Sequence, residues 1–395
     1  MFRKIIEYLN LKNIGGIELF FALLMILSSY SFHGVPMQVI LWGLFFVLLL
    51  FKRRQRKVPI FRPLLLLIAF VLIHDFLYLF IANGNVNAYI MQIIYFGSII
   101  MATQVFDVDK LKGALNIVVI ISIVGLLYQW GMIAAGGEVR PIQLPFLVMS
   151  ENRLETFSIR PSSFFMEPAA YVAFMYIPLA FSLIDRKFIW TAIIILSEFL
   201  STSTTGVLTS FIMLIAYIFT QKVSFKLRFL TLVMGGIMFL LFTNVEAFQT
   251  GVDKLENTDV ETSIRLSQGP YVVSTMKPHE MIAGAPYHDA YEYCLAGRAP
   301  YVVYYKEEVY MSTTWMLILK YGFAGLILYL LFYYKIVKRE RKTIPLILCL
   351  IATMFSASYG IKMTFVYTSI PLLLIMYNKK IEKQRNDKSY YIRYI

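Results

Sequence analysis

Residues 60–82, with the sequence IFRPLLLLIAFVLIHDFLYLFIA, decide the fold, because they form one long and almost uninterrupted apolar run. A helix of about 20 apolar residues crosses the hydrocarbon core of a bilayer, which is about 30 Å thick. Comparable runs recur from one end of the chain to the other. The sequence therefore predicts a polytopic integral membrane protein with a single transmembrane domain over residues 1–395.

The composition also indicates a membrane protein, since 58% of the 395 residues are hydrophobic and only 15% are charged. Cys294 and Cys349 are the only cysteines, which excludes a disulfide framework and a cysteine-rich metal site. The basic residues 1–13 lead into a long apolar run and not into a small-residue cleavage site, so we expect a retained first helix.

The apolar runs predict an all-α fold with about twelve transmembrane helices, within a range of ten to twelve. We expect a shorter external loop at 136–160, one large external loop at 244–311 and a basic tail at 378–395. The predicted spans are 15–32, 35–51, 60–82, 88–105, 113–134, 161–184, 188–203, 205–220, 227–243, 312–334, 344–359 and 363–377.

Lysine and arginine are concentrated in alternate connections between these spans, and also at both ends of the chain. Cytoplasmic loops of membrane proteins carry an excess of these residues, so we expect both termini to be cytoplasmic. The net charge of +13 is then a topology signal, and nucleic acid is not an expected partner.

The run Arg160-Pro161-Ser162-Ser163-Phe164-Phe165-Met166-Glu167-Pro168 stands where a predicted span meets water. Pro168 suits the first turn of a helix, and a carboxylate at Glu167 is favoured at the positive end of that helix. Arg160 either binds an anionic group while Glu167 accepts a proton or orients a hydroxyl, or the two form a structural ion pair.

Other polar side chains within the apolar runs also require explanation. Glu198 precedes a turn rich in serine and threonine at 201–205, and it either contributes to a site or is capped by those hydroxyls. His74 and Asp75 are adjacent in the third span and therefore do not form a catalytic pair by sequence alone. They either relay protons or form an interhelical hydrogen bond, and the sequence favours the hydrogen bond.

The large external loop carries further candidates for substrate binding, which are Arg265, Tyr287, His288 and Arg298. Arginine binds diphosphate through bidentate, charge-assisted hydrogen bonds, and tyrosine rings suit either sugar stacking or a water–lipid boundary. The histidines lack a helical zinc-ligand spacing, so neither a metal nor a cofactor is expected. The sequence contains no phosphate-cradling glycine loop or nucleophile elbow.

Residues 160–173 resemble the Arg-x-x-x-x-Phe-x-Glu-Pro-x-x-x-Ala stretch of bacterial O-antigen and capsular polysaccharide polymerases of the Wzy type. The serine- and threonine-rich turn at 201–206 and the large loop with a central arginine followed by Gly-Ala-Pro are also similar to that family. So is the return into Leu319-Lys320-Tyr321-Gly322-Phe323-Ala324-Gly325.

This resemblance implies an inverting, metal-independent glycosyltransferase of the integral-membrane type, located in the bacterial cytoplasmic (inner) membrane. The donor would be an oligosaccharide on undecaprenyl diphosphate, and a chain-length regulator is a possible further partner. By the same resemblance, Arg160, Glu167 and Arg265 would be catalytic, with the arginines stabilising the departing diphosphate.

Two alternatives remain open. O-antigen ligases, which transfer finished glycan to lipid A core, are related, but they usually carry a histidine where this chain has residues 310–315, YMSTTW. A flippase or transporter of a lipid-linked sugar would need charged residues in the middle of many spans. The sequence offers only His74, Asp75 and Lys320 for that purpose.

Overall fold

The computed structural model describes residues 2–52, 59–81, 84–137, 142–149, 160–221, 264–287, 290–298, 311–356 and 363–392, with a few further positions between 139 and 236. Helices dominate this part of the chain. They are α1 (Phe2–Tyr8), α2 (Gly16–Leu27), α3 (Met37–Phe51), α4 (Arg62–Ile81), α5 (Val86–Val105), α6 (Val108–Ala134), α7 (Pro168–Ile184), α8 (Phe188–Leu200), α9 (Thr204–Thr220), α10 (Ile264–Ser274), α11 (Pro278–Ala283), α12 (Ala290–Leu295), α13 (Thr313–Arg339), α14 (Ile344–Ser356) and α15 (Met363–Ile392).

Within the described ranges, four helices are long and apolar enough to cross a membrane: α4, α5, α6 and α13. Shorter apolar helices are α2, α3, α7, α8, α9 and the first part of α15. The fold is therefore that of a mostly helical, multi-pass membrane-associated protein, and a count of twelve spans is not confirmed. The predicted span 227–243 lies almost wholly outside the described residues, and the predicted span 161–184 becomes helical only at Pro168.

Contacts between segments at or near the helix ends identify which of these ends lie together at each end of the bundle. At one end, which we call the basic end, Lys112 Nζ lies 2.8 Å from Asp185 Oδ1, and the Tyr377 hydroxyl donates to the Pro59 carbonyl at 2.9 Å. At the opposite end, the Thr314 hydroxyl donates to the Met354 carbonyl at 2.9 Å. The connections that meet at the basic end are ones that the charge pattern assigns to a single side. That this side is cytoplasmic stays a prediction.

A small antiparallel sheet at the opposite end is an exception to the all-α prediction. Strand β1 (Tyr30–Phe32) pairs with both β2 (Val35–Pro36) and β3 (Val148–Met149), so the strand order is β2-β1-β3. The predicted span 15–32 was therefore too long, because its last residues leave the helix to pair with a distant strand. The sheet fixes part of the 136–160 connection to the first helices of the bundle.

Helix α13 consists of two helices that meet at Gly322, whose backbone (φ 64, ψ −175) is not helical. The turn between α11 and α12 fits into this break, and Ala285 N donates to the Leu319 carbonyl at 2.7 Å. A Cβ at Gly322 would overlap the Ile282 carbonyl, and one at Gly284 (φ 96) would overlap the Lys320 carbonyl. Both positions therefore require glycine, since the two backbones approach too closely for any side chain.

Helices α10, α11 and α12, which we call the α10–α12 segment, pack against the first half of α13. Their shared apolar cluster includes Val272, Tyr293 and Cys294 from the segment and Ile318 and Leu319 from α13. The predicted large external loop thus contains short helices with an apolar core of their own, fixed to the bundle at the break in α13.

Candidate functional site

The loop at 160–167 is held against α6 by one glutamine side chain. Gln129 Oε1 accepts the backbone N–H groups of Ser162 at 2.9 Å and Ser163 at 2.7 Å, and both serines are buried. Ser163 has a left-handed backbone (φ 58), so the loop turns sharply at this point. A buried amide oxygen with two lone pairs can satisfy two backbone donors that would otherwise be costly to bury.

Two further contacts fix the ends of this loop. The Tyr30 hydroxyl lies 2.8 Å from the Ile142 carbonyl and 3.1 Å from the Phe164 carbonyl, and with one proton it donates to one of them at a time. Arg160 Nη1 donates to the Thr202 carbonyl at 3.3 Å. The Arg160 loop, by which we mean residues 160–167, is therefore tied to β1, α6 and the α8–α9 turn.

The α8–α9 turn is itself supported by α6. Trp130 Nε1 donates to the Leu200 carbonyl at 2.8 Å, and Thr202 adopts a left-handed backbone (φ 56). Ser203 then caps α9 by accepting the Gly206 N–H at 3.3 Å. Consecutive residues of α6, Gln129 and Trp130, thus position the two segments that meet at Arg160.

Glu167 lies at the N-cap of α7, and Pro168 begins the helix, as the sequence predicts. In the described structure the Glu167 side chain makes no capping hydrogen bond to α7. A carboxylate here is still favoured by the positive end of the helix. Glu167 is partly exposed, so a carboxylate at this end of the bundle is accessible.

Glu198 lies in the last turn of α8, directly before the α8–α9 turn, and it is fully buried at 0% exposure. Its Oε2 accepts a hydrogen bond from the Ser210 hydroxyl of α9. The Ser201 hydroxyl donates to the Glu198 backbone carbonyl at 2.7 Å. The hydroxyl that binds the Glu198 carboxyl group therefore comes from α9, whereas the hydroxyl-rich turn contacts the Glu198 backbone and follows this residue directly.

The other predicted residues belong to the α10–α12 segment. Arg298 forms a bidentate ion pair with Glu280, through Nη1 to Oε1 at 3.1 Å and Nη2 to Oε2 at 2.7 Å. The Arg298 guanidinium also stacks over the Tyr293 ring at 5.2 Å, and Tyr287 packs edge-on against the same ring at 5.2 Å. This cluster stabilises the segment, so a substrate would compete with Glu280 for Arg298.

Burial alone would raise the pKa of Glu280, but hydrogen bonds from Arg298 and from the Lys277 N–H, with the charge of Arg298, hold that pKa below its ordinary value. The hydrogen bond to Glu280 correspondingly raises the pKa of Arg298. Both side chains are thus charged at neutral pH.

The side chains of two predicted residues lie outside the described part of the chain. Arg265 is the second residue of α10, and its side chain lies outside the described residues. His288 also lies outside them. Roles for both in substrate binding or catalysis stay predictions.

The structure contains a charged cluster within the helix bundle that was not predicted from the sequence. Asp75 Oδ2 lies 3.4 Å from Lys320 Nζ and accepts the Tyr321 hydroxyl at 3.2 Å, while Asp75 Oδ1 lies 3.3 Å from His74 Nδ1. Gln92 of α5 donates to the Tyr321 hydroxyl at 3.1 Å. Lys320 and Tyr321 directly precede the break at Gly322, so this cluster joins α4 and α5 to the broken helix.

The sequence signal for this cluster was present but incomplete. His74, Asp75 and Lys320 are the polar residues that the transport hypothesis singled out, yet nothing in the sequence pairs α4 with α13. Phe61, directly before α4, packs edge-on against Phe332 of α13, with 5.9 Å between the ring centroids. Further along α4, Asp75 meets Lys320, which lies earlier in α13, so the two helices run antiparallel.

Comparison of the chain with known protein families, with curated proteins and with solved structures finds no match. The resemblance to polysaccharide polymerases therefore rests on the quoted motifs alone.

Proposed function

We propose that this chain is a membrane glycosyltransferase that joins undecaprenyl-diphosphate-linked oligosaccharide repeats into an O-antigen or capsular polysaccharide. The observation that best supports this proposal is the fixed position of Arg160. Its loop is held by Gln129, by Tyr30 and by the Thr202 carbonyl, at the end of the bundle away from the basic connections. A positioned cation stabilises developing charge without reorganising during the reaction.

The proposed reaction uses groups on this loop. A hydroxyl oxygen of the acceptor sugar forms a bond to the anomeric carbon of the donor, and the bond from that carbon to the diphosphate oxygen breaks with inversion. Arg160 stabilises the negative charge on the departing lipid diphosphate. Glu167 accepts the proton of the acceptor hydroxyl, as a carboxylate within hydrogen-bond reach can do.

Reconstitution of the full-length protein in lipid vesicles with undecaprenyl-diphosphate-linked oligosaccharide tests the proposal. The parent protein should produce a ladder of lengths on a gel. The Arg160→Ala variant should be slower by about 100- to 1000-fold, as is typical when one donor to a developing anion is lost. Arg160→Lys should also lose most activity, because an ammonium group cannot form the bidentate contact.

Arg62→Lys is the matched control, because Arg62 is an exposed arginine in the first turn of α4, at the basic end. It should leave the ladder unchanged. A ladder from Arg160→Lys equal to that of the parent would contradict the diphosphate role. Transfer of a single finished glycan onto lipid A core, with no ladder, would instead identify a ligase.

The cluster around Asp75 favours transport of a lipid-linked sugar as the second candidate. Ionisable side chains within a membrane are costly and commonly mark a substrate or ion pathway. In that case vesicles should move a fluorescent lipid-linked sugar between leaflets without forming a new glycosidic bond, and Asp75→Asn should abolish the movement.

A further inference from the structure

Glu198 is a completely buried acid with one unpaired carboxyl oxygen in the described structure. Its Oε2 binds the Ser210 hydroxyl, whereas its Oε1 is buried without a hydrogen-bond partner among the described residues. The hydroxyl of Tyr171 on α7 is likewise fully buried, and it interacts with Ser197 and Glu198. Buried polar atoms are nearly always paired, so the unpaired Oε1 indicates that this carboxyl oxygen carries a proton or has another partner.

The described side chains around Glu198 include several hydroxyl groups. Ser197, Thr209 and Ser210 are all almost completely buried. Among the residues that the structure describes, no lysine, arginine or histidine forms an ion pair with Glu198. An isolated carboxylate in such a place is strongly disfavoured even after the protein relaxes, so the group must be neutralised.

We propose that Glu198 is an intramembrane proton-binding site, occupied by one exchangeable proton on its carboxyl group. The neutral acid donates that proton to a neighbouring hydroxyl, which removes the charge and leaves only hydroxyl–carboxyl hydrogen bonds inside the bundle. A metal ion fits less well, because hard cations take about six to eight oxygen ligands, and the observed contact supplies only a carboxylate and one serine hydroxyl.

The α8–α9 turn covers this site from the opposite end of the bundle. The turn carries the Ser201 hydroxyl, which donates to the Glu198 backbone carbonyl, and the Thr202 carbonyl, which accepts from Arg160. Exchange of the proton with water therefore requires the turn to open, and that movement also releases Arg160. Proton exchange at Glu198 and the position of the Arg160 loop are thus linked, whichever reaction the protein catalyses.

Labelling with a hydrophobic carbodiimide tests the proposal on the unmodified full-length protein in lipid vesicles. The reagent adds the oxygen of a protonated carboxyl group to its central carbon, while the carboxyl proton moves to a reagent nitrogen. The adduct rearranges to a stable acylurea, which peptide mass spectrometry can locate. At neutral pH, Glu198 should be labelled about tenfold faster than a buried acid that is ionised, and the label should disappear as pH rises.

Glu280 is the matched internal control, because it is 3% exposed but forms a bidentate ion pair with Arg298, which keeps it charged at neutral pH. Glu198→Gln should remove the label from its peptide alone. Labelling of Glu280 with none at Glu198 would overturn the proposal. Protection of Glu198 by excess sodium chloride, but not by choline chloride, would also overturn it and indicate a metal cation instead.

Discussion

Gly322→Ala should release the α10–α12 segment from the helix bundle. Alanine at φ 64 and ψ −175 occupies a backbone region that is almost exclusive to glycine, at a cost of about 1–3 kcal/mol. Its Cβ would also overlap the Ile282 carbonyl and lie 2.6 Å from Ala283 N, and neither is the end of a flexible side chain. The turn that contains Gly284 must therefore move out of the break.

The two cysteines of the chain allow this movement to be measured. Cys294 is 4% exposed inside the apolar cluster of the segment, and Cys349 is 0% exposed inside the bundle on α14. Neither forms a disulfide. A loss of about 1–3 kcal/mol from local stability should raise the rate of maleimide labelling at Cys294 by about 5- to 150-fold, since 1.4 kcal/mol is tenfold.

Labelling at Cys349 should not change, because that thiol is not covered by the segment. Gly131→Ala is the matched control, since a Cβ on this α6 glycine would meet no other atom within 4 Å. It should leave both thiols as protected as in the parent or slightly more so, because alanine favours a helix over glycine. If Gly322→Ala leaves Cys294 as protected as Gly131→Ala does, the proposed packing of the turn into the break is wrong.

Three further predictions concern the buried polar groups. The stability that ionised Glu280 contributes is fully present above the ordinary glutamate pKa of about 4.3, and it is lost as pH falls through the lower pKa of the folded state. Pepsin should therefore cleave the α10–α12 segment increasingly below about pH 4. Arg298→Gln should abolish this pH dependence of cleavage. Lys320→Met should lower the free energy of unfolding by about 3–5 kcal/mol, because the Asp75 charge stays buried without its ion-pair partner. Adding Asp75→Asn should restore most of the lost free energy, as measured by thermal unfolding. Gln129→Leu leaves two buried N–H groups unpaired, at about 1–3 kcal/mol each, and should speed amide hydrogen exchange at 162–163, whereas Gln129→Glu should not.

The sequence predicts those parts of the fold that depend on local patterns. The ends of α4, α5 and α9 lie within a few residues of the predicted spans, because apolar run length and flanking polar residues mark them directly. Pro168 was likewise placed correctly at the start of α7, since proline at the first helical position has a local cause.

Contacts between distant residues were not predictable in the same way. Strand β1 depends on pairing with Val148 and Met149, and the break at Gly322 depends on the approach of Gly284. Neither partner can be identified from one sequence, because the residues around Tyr30 and Gly322 do not indicate which distant segment approaches them. The partners of Arg298 and Asp75 were not identified for the same reason, since they lie far away in the sequence, whereas the interhelical hydrogen bond expected in the third span is present at Asp75.

Ion pairs within the described residues separate two of the buried acids from Glu198. Asp75 and Glu280 each lie against a basic side chain, so a structural ion pair accounts for their charge. Within the described ranges, the Glu198 carboxyl group accepts a hydrogen bond from Ser210 and forms no ion pair, although it is at least as deeply buried as either. A bundle stabilised by packing alone would gain by placing glutamine or leucine at 198, because neither carries a charge to neutralise. The presence of a titratable group there, directly before the turn that holds Arg160, therefore argues for use of its proton and makes Glu198 the residue to test first.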